Sequence, residues 1–133
     1  MPVAAIVLTL LGDMDYLLPA TFFLVVAIDL GQFPLNVVIV PVSTIGILGC
    51  VAMMGAMPKK HVVWGILVLS FASLAIAFDG YILITFPLGI WGAQFVIALG
   101  LILVGGALAI AWKPPLDPTH DQTVAEVHAN RPS

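Results

Sequence analysis

Charge is what this chain has least of. Only 8% of its 133 residues are Asp, Glu, Lys or Arg, against 62% that are hydrophobic. A soluble domain of this length would lack the polar surface to cover itself. Four Lys and Arg in all, no basic cluster and a net charge of −3 exclude a nucleic-acid-binding face. A single cysteine, Cys50, excludes an internal disulfide. No nucleophile–base pair, glycine-rich phosphate loop or zinc signature occurs, so the chain does not read as an enzyme. Charged and amide groups are also scarce inside the apolar runs, where a transporter usually concentrates them.

What is there is hydrocarbon-compatible sequence in lengths near the ~18–20 residues that cross a bilayer. Punctuation divides it into spans at about 16–30, 34–57, 61–78 and 87–112. Asp15 reads as an N-cap for the first, with Pro19 in the first turn, where its missing N–H breaks no bond. Pro34 and Pro87 open the second and fourth spans. Pro41 should kink the second, with Ser43 and Thr44 placed to satisfy freed carbonyls. Asp79-Gly80 ends the third, and residues 81–86 read as an interfacial piece or a helix extension. Residues 116–133 form a polar, proline-bearing tail.

The N-terminal apolar run, 3–11, is too short to span on its own, and without a cationic flank it does not read as a signal peptide. Continuing it into the first span would sink Asp13 and Asp15 into the membrane, at roughly 2.5–3.5 kcal/mol per carboxylate on insertion scales. A short amphiphilic or re-entrant N-terminal segment avoids that cost. The expected fold is therefore an all-α bundle of four transmembrane helices. Lys59, Lys60 and Lys113 fall on one side of such a bundle. By the positive-inside rule both termini face the cytoplasm, in the plasma (inner) membrane, with a cytoplasmic tail.

Three functional readings compete. Asp29 and Asp79 close their spans at helix C-termini, where the dipole disfavours a carboxylate and no cation of the chain lies nearby. Gly105 and Ala109 head small-residue ridges that let helices approach closely. Together these four residues suggest contacts with other integral membrane subunits. The expected role is then a non-catalytic subunit that stabilises a larger membrane complex, for example an electron-transfer or other energy-transducing one, surrounded by lipids. The second reading is a small oligomeric channel or transporter using the outer carboxylates. The third is a copper- or haem-binding subunit. Cys50, Met53, Met54 and Met57 share one helix face, His61 follows, and soft sulfur and imidazole ligands suit Cu(I) or a haem iron. Packing is the ordinary use of such a methionine stripe, and no cofactor is expected. Gln94, alone among the apolar residues of the fourth span, should bond across to another helix.

Overall fold

The structure is a computed structural model. It describes residues 2–31, 35–85, 89–115 and 126–130, with side chains left undescribed at 23, 26, 27, 35–37, 79–85 and 89–91. Four helices account for nearly all of it: α1 (Val3–Asp29), α2 (Leu35–Ala56), α3 (His61–Thr85) and α4 (Gly89–Ala111). A single 3-10 turn, Pro58–Lys60, joins α2 to α3. All four helices are long and apolar enough to cross a membrane. The protein is a multi-pass membrane protein.

The main departure from the sequence reading is α1. It begins at Val3 and runs unbroken to Asp29, so residues 3–12 are its first turns and not a separate re-entrant or interfacial segment. Energetics explain why. Breaking a helix within hydrocarbon strands several backbone N–H and C=O groups, each costing several kcal/mol. Keeping it intact costs roughly 2.5–3.5 kcal/mol per carboxylate, and less when the acid faces other helices instead of lipid. Asp15 and Pro19 are accordingly interior residues of α1, not its cap and first turn. The same logic carries α3 through Asp79-Gly80 to Thr85. The backbone at 81–85 extends the helix. The helix-opening Pro34 and Pro87 lie outside the described residues.

Each helix packs against two neighbours in the ring α1–α4–α3–α2, and among the described residues the diagonal pairs do not touch. The buried stripe of α1 comprises Ala5, Thr9, Gly12, Asp13, Tyr16, Pro19 and Ala20, spaced three or four apart. Its opposite face, with Leu11, Met14, Leu18, Phe22 and Val25, is exposed and suited to lipid. Helices α1 and α4 run antiparallel. Thr9 meets Gly105, Gly12 meets Ala98 and Ile102, and Asp15 meets Gln94. Across α3 and α4, Gly65 meets Gly106 and Ala109. The N-terminus of α1, the α2–α3 turn and the C-terminus of α4 thus share one end of the bundle.

Hydroxyls in the spans mostly return to their own helices. Ser70 donates to the Ile66 carbonyl, Ser73 to that of Leu69 and Thr21 to that of Leu17. Around Pro41 the outcome differs from expectation. Thr44 donates to the Val40 carbonyl, not to that of Val37, which the proline ring releases, and the Ser43 hydroxyl is buried without a partner. In the tail, residues 126–129 form one exposed helical turn, held by Asn130 N–H donating to the Glu126 carbonyl at 3.0 Å.

The glycines of α4 provide a test of this packing. A Cβ on Gly105 would run into the Thr9 side chain and lie 2.8 Å from Thr9 N and 3.0 Å from the Ala5 carbonyl oxygen. One on Gly12 would lie 2.6 Å from the Ala98 carbonyl oxygen, whereas one on Gly100 would meet nothing within 4 Å. Gly105→Ala and Gly12→Ala are expected to destabilise the bundle by about 1–3 kcal/mol, because backbone must move to admit the methyl group. Gly100→Ala should be neutral or stabilising, since alanine favours the helix by up to about 1 kcal/mol. Thermal unfolding in mild detergent reads the difference; three equal melting temperatures would contradict the α1–α4 contact.

Candidate intramembrane carboxylate site

The most unusual residue in the bundle is Asp13. It is 0% exposed, and neither carboxylate oxygen has a hydrogen-bond partner. It sits ten residues into α1, about 15 Å from Val3 at 1.5 Å per residue, and level with the middle of α4. It therefore lies at the middle of Val3–Phe22, the part of α1 long and apolar enough to cross a membrane. One turn before it, the Thr9 hydroxyl is also fully buried without a partner. On the other side, the buried Tyr16 ring meets Phe95 of α4 edge-on, with centroids 5.4 Å apart and an interplanar angle of 72°. On the buried stripe of α1 the acid is thus flanked by a hydroxyl one turn before it and an aromatic ring one turn after it.

A second polar contact fixes this part of the fold. Pro19 has no N–H, so the carbonyl four residues earlier, that of Asp15, loses its helical partner. The Gln94 amide supplies a donor from α4. Its Nε2 lies 3.0 Å from Asp15 Oδ1 and 3.5 Å from the Asp15 carbonyl oxygen. The half-buried Asp15 carboxylate is therefore held by an interhelical bond, whereas Asp13, two residues earlier, is not. The expectation that Gln94 bonds across helices is met, and its partner is an acid that the continuity of α1 makes an interior residue of that helix.

The residues singled out by sequence fall elsewhere. Gly105 and Ala109 are buried within the bundle, against α1 and α3 respectively, so their close contacts are internal to this chain. Asp29 is the last residue of α1 and is exposed. Two residues on, Gly31 takes φ +63 and donates its N–H to the Ile28 carbonyl at 3.1 Å, which closes the helix in the left-handed conformation that glycine permits. Asp79 does not terminate α3, so the helix-end argument does not apply to it; its side chain lies outside the described residues.

Of the sulfur stripe, Cys50 and Met54 are core residues, Met53 is half-buried, and Met57 is exposed just past the end of α2. His61 is held by two contacts outside that stripe. Its Nδ1 lies 2.8 Å from the Pro58 carbonyl, and its ring meets Trp112 edge-on at 4.9 Å. Among the described residues no three His, Cys, Asp or Glu side chains gather in one place.

The sequence reading missed Asp13 and Thr9 by placing the membrane boundary after them. A signal was present. An interior proline frees a carbonyl, and a lone glutamine in another apolar span is a donor in search of one. The chain matches no protein-family model, no curated protein and no solved structure.

Removing the Gln94 amide isolates the interhelical bond. Gln94→Leu keeps the bulk but leaves the Asp15 carbonyl and carboxylate without their donor, at an expected cost of about 1–3 kcal/mol. The midpoint of thermal unfolding in detergent should fall accordingly, while Gln94→Glu should fall further, since it sets two carboxyl groups together. An unchanged midpoint in both variants would remove the bond from the account.

Proposed function

We propose that the protein takes up and releases a small ion inside its own bundle, as a small transporter or channel, and that Asp13 is the ion-carrying group. The observation that carries this reading is a carboxylate fully buried, with no partner, at the middle of an apolar stretch long enough to cross a membrane. A leucine at this position would serve packing without leaving a polar group unsatisfied, at a saving of about 1–3 kcal/mol. Ionisable residues inside a membrane bundle mark ion and proton pathways, and an acid without a structural bond has no packing role to explain it. The carboxylates at work are then not the outer pair, Asp29 and Asp79, but one at the heart of α1.

The accessory-subunit reading keeps one observation in its favour, the exposed Asp29 at a helix C-terminus that disfavours it. Gly105 and Ala109 no longer support it, because their neighbours are in the same chain. Orientation follows from the cations. Lys59 and Lys60 in the α2–α3 turn and Lys113 after α4 share one end of the bundle, which supports a cytoplasmic position for that end and for both termini.

Purified protein in proteoliposomes, loaded with a pH-sensitive dye and energised by a potassium diffusion potential, tests the proposal. Native protein should support ion movement, read as proton uptake and, in parallel vesicles, as sodium uptake. Asp13→Asn should reduce it to the level of protein-free vesicles while melting at or above the native temperature. Full flux in Asp13→Asn, or no flux of any of these ions in the native protein, would overturn the reading.

A further inference from the structure

We infer that the ion held at Asp13 is a proton, carried on its carboxyl group as the neutral acid inside the bundle, and not a metal cation. The inference rests on Asp13 being the ion-carrying group and adds the identity of the ion.

The donor set decides between the two. A hard cation released from water needs a replacement shell: six to eight oxygens for Ca²⁺, a near-ideal octahedron for Mg²⁺, rings of carbonyls for K⁺. The packed helices offer Asp13 far fewer. Gln94 carries the only side-chain oxygen in α4, and the amide that bears it is anchored through Nε2 to Asp15, two residues along α1 from Asp13. The carbonyl that Pro19 frees in α1 is taken by the same amide. Other backbone carbonyls of α1 and α4 belong to their helical ladders. Even if the Gln94 Oε1 and the two partnerless buried hydroxyls among the described residues, Thr9 and Ser43, were all brought to the carboxylate, it would stand among five oxygens. A proton needs one.

The charged surroundings point the same way. Helix α4 contains no titratable residue, and in α2 the only one is Cys50. Within α1 the others are Asp15, whose carboxylate accepts from Gln94, Tyr16, and Asp29 at the far end. None of these can supply positive charge to Asp13. An anion there is uncompensated, and isolated buried charge in a low-dielectric interior is the costliest arrangement available. Binding a proton removes the charge outright and provides an O–H, which a side-chain rotation can direct toward the Thr9 hydroxyl one turn away on the same face.

A hydrophobic carbodiimide tests this on the native protein in proteoliposomes. The reagent reacts with a protonated carboxyl: the acid proton passes to a carbodiimide nitrogen and the carboxyl oxygen bonds to the central carbon. The O-acylisourea so formed rearranges to a stable N-acylurea without loss of atoms. Peptide mass spectrometry should find one adduct at Asp13, diminishing as pH rises and unaffected by Na⁺, Li⁺, K⁺, Mg²⁺ or Ca²⁺ at fixed pH. Asp29, exposed at the end of α1, is the internal control. Protection of Asp13 by any of those cations at fixed pH, or modification of Asp29 without Asp13, would overturn the proton assignment. An Asp13 adduct with the expected pH dependence, together with full flux in Asp13→Asn, would leave the proton in place and remove the transport reading instead.

Discussion

Helices α1 and α4 meet at three levels, and the rest of the bundle is arranged around that meeting. At the shared terminal end Gly105 lets Thr9 and Ala5 come within contact of the α4 backbone. In the middle Gly12 does the same for Ala98. Toward the other end the Gln94 amide bridges to Asp15, where Pro19 has left a carbonyl free. In lipid no hydrophobic force presses helices together, so close backbone approach and interhelical hydrogen bonds have to provide the specificity. This interface has both. Its polar bond also fixes the rotation of α1, and that rotation directs Asp13 and Thr9 inward while Leu11 and Met14 face outward.

Two of the three acids of α1, Asp13 and Asp15, show how position on a helix decides chemistry. Asp15 lies where a donor can reach it from α4, and it is half-buried and bonded. Asp13 is turned 200° from it, at 100° per residue, and is fully buried without a partner. One acid therefore contributes to stability and the other detracts from it. A bundle that tolerates an unsatisfied carboxyl at its centre sacrifices part of its folding free energy, and the proposed function gives that sacrifice a use.

Helix count and the lipid-facing character of the chain were legible in the sequence, because apolar runs of bilayer length leave few alternatives. Gln94 was legible as an interhelical donor for the same reason: an amide in a span of aliphatic residues must find an acceptor. The first helix was misread. Asp13 and Asp15 look like a membrane boundary when their insertion cost is counted alone. The larger cost of breaking a helix in hydrocarbon, and the relief from facing protein, appear only once the neighbouring helices are in place. The small residues show a related limit. Gly105 and Ala109 announce close contact, but a ridge does not say which helix it contacts, and here the partners are α1 and α3 of the same chain.

Everything turns on α1 crossing the membrane as one buried-faced helix with Asp13 near its midpoint. Spin labels at Leu11 and Met14, both on the exposed face of α1, test this most directly through collisional accessibility in lipid bilayers. A transmembrane α1 predicts strong relaxation by dissolved oxygen, which concentrates in the hydrocarbon, and almost none by a water-soluble nickel chelate. Strong relaxation by the nickel chelate at both positions would place residues 11–14 at the water interface and contradict the site at Asp13.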